Sequence, residues 1–168
     1  MLIFDAHLDL SLNALEWNRD LRLSADAIRE VEVGMSDLAG RENGTVSFPE
    51  MRSGGVGLCV ATIIGGCMKP AGPVASWESP HQAWAMTRGQ LAWYREMEEI
   101  GELRQVTTIS ELEAGIKHWL DNPDNCPIHY ILSLEGADSL VDLQHLACGF
   151  FQSTMWILVV PSSFVLST

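Results

Sequence analysis

Nine consecutive residues, Val56–Ile64, carry no charge and are rich in valine, isoleucine and threonine. A strand with one wet face alternates polar and apolar residues. An unbroken run of this kind fits a strand covered on both faces, which is the condition of a parallel sheet. A second run, residues 128–134, has the same character and passes directly into Glu135 and Gly136. A shorter apolar run, residues 2–4, reads as a buried strand and is followed at once by Asp5, His7 and Asp9. Between these runs lie helical patterns. The order is strand, helix, strand, long helix, helix, strand, which predicts an α/β fold with a parallel sheet.

The helical segments have readable ends. Residues 12–20 read as helical or irregular. Ser24 is placed to cap a helix that runs to about Glu32, with Asp26 in its first turn, where a carboxylate suits the helix dipole, and Gly34 to break it. Residues 48–52 form a short helical or turn segment leading into Gly54 and Gly55. The longest candidate spans residues 78–101, with Met86, Trp93, Met97 and Ile100 at helical spacing as its core face. A short strand is expected at residues 105–108. Ser110 with Glu113 three residues on reads as a capping box for a helix ending near Leu120. The Pro- and Gly-bearing stretch 67–79 is assigned no regular structure.

Composition narrows the class. Of 168 residues, 47% are hydrophobic and 19% charged, which is a globular balance able to bury a core. The formal charge of −12 disfavours nucleic acid and anionic membrane as partners, because both require clustered Lys and Arg. The start lacks a basic region followed by a long apolar stretch, and no apolar run reaches the roughly 18 residues of a membrane span. A cytoplasmic protein is expected. Cys59, Cys67, Cys126 and Cys148 form no Cys-x-x-Cys pair, so free thiols are the expectation, although Cys67 and Cys126 could pair.

The strand ends carry the chemistry. In an extended strand, Asp5, His7 and Asp9 share one face, so an imidazole and a carboxylate two residues apart can reach one divalent ion. Asp5 can act behind them as an orienting carboxylate. The bland alternative is a surface histidine and aspartate after a short strand. Glu135 ends another strand, and functional groups in parallel α/β sheets and barrels collect at carboxyl ends. A glutamate there can bridge two ions.

Three segments together, Asp5-Ala-His7-Leu-Asp9-Leu10, Arg52-Ser-Gly-Gly-Val-Gly57 and Leu132-Ser-Leu-Glu135-Gly136-Ala-Asp138, resemble the membrane dipeptidase (renal dipeptidase-like) family of zinc-dependent dipeptidases. The resemblance covers residues 1 to about 146. It implies a (β/α)8 barrel of the TIM type and a two-zinc site that hydrolyses dipeptides. It also implies metal-ligand roles for His7 and Asp9 at one zinc, with Glu135 bridging both.

The chain departs from that pattern after His145. A full barrel takes about 250 residues. Residues 146–168 contain no Asp, Glu, Lys, Arg or His. Residues 155–160 could make a fourth strand, but the family's own fourth-strand segment is not recognisable in them. The expected organisation is a truncated N-terminal barrel portion over residues 1–146 and an atypical tail over 147–168, frameshifted or unrelated. Such a piece leaves sheet edges open and is expected to self-associate or unfold. With the second zinc's ligands missing, weak binding of one ion and little hydrolysis are expected. A non-catalytic remnant or interaction protein, and a barrel hydrolase acting on another amide, stay open as alternatives.

The remaining histidines have structural readings. His81 fits the solvated start of the long helix, His118 a helix surface, and His129 a hydrogen-bonded strand position. His145 has no evident partner. Asp138 is placed to cap the turn after Glu135.

Overall fold

The computed structural model describes residues 1–67, 76–140 and 157–159. The elements in chain order are β1 (Ile3–Leu8), α1 (Leu10–Leu15), α2 (Ala25–Glu32), α3 (Phe48–Gly54), β2 (Val56–Ile64), β3 (Gly66–Cys67), β4 (Ser76–Trp77), α4 (Pro80–Glu99), β5 (Leu103–Gln105), α5 (Ile109–Asp121), a 3-10 turn (Pro123–Asn125), β6 (Ile128–Glu135) and β7 (Ile157–Val159).

All strands of the main sheet are parallel, in the order β1, β2, β6. On the far side of β6, β5 pairs with its first half and β7 with its second half. The long strands therefore advance in one direction as the chain proceeds. A doubly wound sheet reverses its order at a switch point, and a barrel does not. The fold is a parallel α/β sheet wound in the barrel manner. β7 lies within the stretch read as a possible fourth strand. His145 and Cys148 lie outside the described residues.

The two charge-free runs sit where their sequences demand. Residues 57–63 of β2 and 128–134 of β6 are buried, and their side chains form the core with Tyr94, Met97 and Trp119 from the covering helices. Ring contacts continue this core across layers: Phe48 of α3 meets Trp93, Trp93 meets Tyr94, and Tyr94 stacks on Tyr130 of β6 at 5.1 Å.

The segment Arg52-Ser-Gly-Gly-Val-Gly57 is explained by two backbone requirements. Gly55 ends α3 with φ of +81°, a left-handed conformation that side chains disfavour. At Gly57 a Cβ would stand 2.3 Å from the Trp119 indole, so the glycine lets α5 lie flush on β2. Arg52 reaches across to Glu102 at 2.8 Å and ties α3 to the turn before β5.

Several expectations require correction. The opening run is a strand but not a buried one: Ile3 and Phe4 are 37% and 52% exposed. β1 pairs with β2 alone among the described residues, and an edge strand has less to cover it. The capping box lies two residues earlier than read. Thr108 caps α5 and Glu111 bonds back, while Ser110 sits inside the helix. Stretch 67–79 is not devoid of structure, because β3 and β4 form a short parallel pair. The buried face of α4 is Ala83, Thr87, Gln90, Tyr94 and Met97, and Ile100 is 47% exposed. The short strand expected at residues 105–108 lies earlier, at Leu103–Gln105. Ser24 does cap α2, accepting from the Ala27 N–H, and the helix ends at Glu32 before Gly34, whose φ is +78°. Among the described residues no helix is long and apolar enough to cross a membrane.

Candidate metal centre

β1 and β6 are separated by β2, so in a flat sheet their ends would stand roughly 10 Å apart. Their functional side chains nevertheless meet. His7 is the penultimate residue of β1 and Glu135 the last of β6. His7 Nε2 lies 3.1 Å from Asp9 Oδ1 and 3.5 Å from Glu135 Oε2. One donor atom from each of the three residues falls within 4.8 Å of the other two. Two long side chains lean over the carboxyl end of β2 to make this cluster.

Asp9 is not in the strand, contrary to the alternation that placed it on the His7 face. It occupies the N-cap position of α1 with φ −88° and ψ 59°. Aspartate there normally accepts a hydrogen bond from the first turn of the helix. This one makes no such bond. Its Oδ1 is buried and has no hydrogen-bond partner among the described residues, with His7 Nε2 in an ion-pair contact at 3.1 Å. A buried carboxylate oxygen without a hydrogen bond, an imidazole nitrogen and a second carboxylate this close together could hold a divalent cation. The donor set of one imidazole and two carboxylates suits zinc and similar divalent ions.

The backbone around the cluster is held from behind. The Asp5 carboxylate accepts from the His7 backbone N–H at 3.0 Å, so it fixes the strand rather than the imidazole ring. The Asp9 carbonyl accepts from both the backbone and the side-chain amide of Asn13. Asn13 Oδ1 accepts from Arg19, which is bound in turn to the buried Glu32. Among the described residues Asp138 accepts no bond from its own turn. It accepts from the Cys67 N–H at 3.0 Å and ties the segment after β6 to the segment after β2.

The other candidates fall elsewhere. His81 is exposed in the first turn of α4, and His118 is exposed near the end of α5. His129 is buried at the opposite end of β6 from Glu135, against Gly115 of α5, and burial lowers its pKa. Cys59, Cys67 and Cys126 are free thiols. Sequence reasoning missed Ser11, Thr62, Gln90 and Tyr94, which are buried polar residues next to the cluster. Their signal was weak: in sequence each reads as an ordinary polar or aromatic helix or strand residue.

The fold and the cluster together describe a parallel α/β barrel sheet with metal-type donors at its carboxyl ends. No family model matches the chain, and no curated protein matches it. Solved structures do. Dipeptidase AC, a metallopeptidase of family M19, superposes with a TM-score of 0.54 at 23% identity, covering 88% of this chain and 40% of its own. A metallopeptidase from Rhodobacter sphaeroides, solved with a phosphinate mimic of the dipeptide L-Ala-D-Ala, superposes with a TM-score of 0.54 at 20% identity, covering 88% and 42%. The likeness is one of fold, and the chain spans about two fifths of the length of these proteins.

Proposed function

We propose that this chain carries the N-terminal portion of a zinc-dependent dipeptidase, with His7 and Asp9 as ligands of one ion and Glu135 placed to bridge to a second. The observation that carries the reading is the convergence of these three side chains, with Asp9 Oδ1 buried and without a hydrogen bond among the described residues. The fold likeness to two metallopeptidases, one of them bound to a dipeptide mimic, supports the same substrate class.

A divalent ion held there supplies Lewis acidity, polarising a peptide carbonyl and acidifying water enough for attack near neutral pH. The chain's own residues do the rest of what is proposed. His7 and Asp9 would hold the ion from the β1 side. Glu135 would hold it from the β6 side, and its carboxylate could also serve a second ion. The side chains of His7 and Glu135 are 46% and 35% exposed, so a small substrate can approach the cluster from solvent.

Among the described residues this is the one such group of three donors. That favours a second reading, a non-catalytic metal-binding or interaction protein with a single ion. The two are separated by incubating the zinc-loaded chain with a panel of dipeptides, cyclic amides and N-acyl amino acids. Dipeptide hydrolysis that chelator abolishes and zinc restores supports the dipeptidase reading. Hydrolysis of the cyclic or acyl amides alone points to a barrel hydrolase of another amide. Hydrolysis by this portion is expected to be weak, so a chelator-sensitive trace above the metal-free chain counts for the dipeptidase reading, and zinc binding with no such trace counts for the non-catalytic one.

A further inference from the structure

Two residues along the chain from Asp9 and from Glu135, a set of buried side chains is joined by hydrogen bonds. Ser11, Thr62, Gln90, Tyr94 and Ser133 are each 0% exposed. Burying five polar side chains is costly unless each finds a partner. Here each does. Gln90 Oε1 accepts from the Ile64 N–H at 2.9 Å, and its amide donates to the Ile64 carbonyl at 2.6 Å. The Ser11 hydroxyl lies 3.1 Å from Gln90 Oε1 and 3.2 Å from the Thr62 carbonyl. The Tyr94 hydroxyl donates to that same carbonyl at 3.0 Å and accepts from the Ser11 N–H at 3.4 Å. Ser133 donates to Thr62 Oγ1 at 3.1 Å.

The position of these partners is what matters. Ser11 follows Asp9 by two residues. Ser133 precedes Glu135 by two. Ile64 pairs with Glu135 in the sheet, and Thr62 pairs with Ser133. The cluster therefore connects the segment that presents Asp9 to the strand that presents Glu135, through β2 and α4. Hydrogen bonds are directional, whereas apolar contacts of the same area tolerate sliding.

We infer that Gln90 and Tyr94 are positioning residues for the metal centre: through Ser11, Thr62 and Ile64 they fix the spacing between the His7–Asp9 side and the Glu135 side. This rests on the metal reading above. Tyr94→Phe removes the hydroxyl and keeps the ring stacked on Tyr130. Gln90→Met keeps the volume and removes the amide. Tyr130→Phe is the control, because its hydroxyl is buried without a partner in the same ring stack.

The test uses cobalt(II) as a visible-absorbing substitute for zinc, with amide hydrogen exchange measured on the same metal-free proteins. The expected result is a 10- to 100-fold loss of cobalt affinity in Tyr94→Phe and Gln90→Met, with displaced absorption bands, and no more than about a twofold change in Tyr130→Phe. Exchange across residues 9–15 and at Ile64 should also quicken in the first two variants and not in the control. Folded variants that bind cobalt like the wild type, with the same spectrum, overturn the inference. A wild type that binds no cobalt overturns the metal reading instead. The positioning role for a metal centre falls with it, and the exchange data then decide only whether Gln90 and Tyr94 fix the spacing of the two sides: selective quickening in the two variants supports that, and exchange equal to the control removes it.

Discussion

Two clusters of carboxylates and nitrogen groups lie in this fold, and they are opposites. In one, the Glu32 carboxylate accepts from Arg19 Nε at 2.6 Å and Nη2 at 3.0 Å, from Arg41 at 2.9 Å and from the Glu42 N–H at 2.8 Å. Every lone pair facing the protein is used, and Glu32 is 2% exposed. In the other, Asp9 Oδ1 is buried with no hydrogen-bond partner, and His7 and Glu135 face it. The first cluster is complete as it stands and holds the segment after α2 against the chain before it. The second has no such set of hydrogen bonds at Asp9 Oδ1 among the described residues. Satisfied buried charge builds structure, and convergent unsatisfied acceptors make a place for a ligand.

The largest effects are expected at the proposed ligands. Glu135→Ala and His7→Ala should each abolish measurable zinc binding in calorimetry while the far-ultraviolet circular dichroism spectrum stays that of the wild type. Zinc affinity preserved in both would put the ion elsewhere. The same substitutions should leave denaturant stability close to wild type, since neither residue is deeply buried.

Glu32→Gln should do the reverse. Leaving Arg19 and Arg41 without their shared carboxylate should cost about 3 kcal/mol in urea unfolding, with zinc stoichiometry per folded molecule unchanged. The acid limb gives an independent check. The Arg19 hydrogen bond, helped by Arg41, draws the Glu32 pKa from its ordinary 4.5 down to about 2. Its folded value is depressed, so its stabilising effect is full above about pH 4.5 and fades as pH falls toward 2. Wild-type stability should decline through that window, and Glu32→Gln should lose much of the slope.

Smaller effects sharpen the picture of the scaffold. Gly57→Ala would drive a methyl into the Trp119 indole, which is 2% exposed and cannot step aside. Thermal unfolding should show a loss of about 1–3 kcal/mol. Tyr130→Phe deletes a buried hydroxyl that has no partner, so it should be neutral or stabilise by up to about 1 kcal/mol.

Much of this architecture is legible in the sequence. The strands β2 and β6 stand out because burial on both faces leaves no charged residue in either run until Glu135. The convergence of His7 and Glu135 is legible for a related reason: they sit where apolar strands stop, and that is where parallel sheets display their chemistry. What sequence pattern misses is polar burial. α4 presents Thr87, Gln90 and Tyr94 to the core, and periodicity chose Met86, Trp93 and Ile100 because hydrophobic weight was the available guide. The exposure of Ile3 and Phe4 was illegible too, since an apolar run does not say whether a neighbour will cover it. Asp9 leaves the strand because the chain turns into α1 there, which alternation along β1 cannot show.

The measurement that tests the central claim most directly is a zinc titration of the chelator-treated chain by calorimetry, beside the His7→Ala/Asp9→Ala/Glu135→Ala triple variant. The account predicts one ion per wild-type chain, released by chelator, and none on the variant. No binding to the wild type, or equal binding to both proteins, contradicts it.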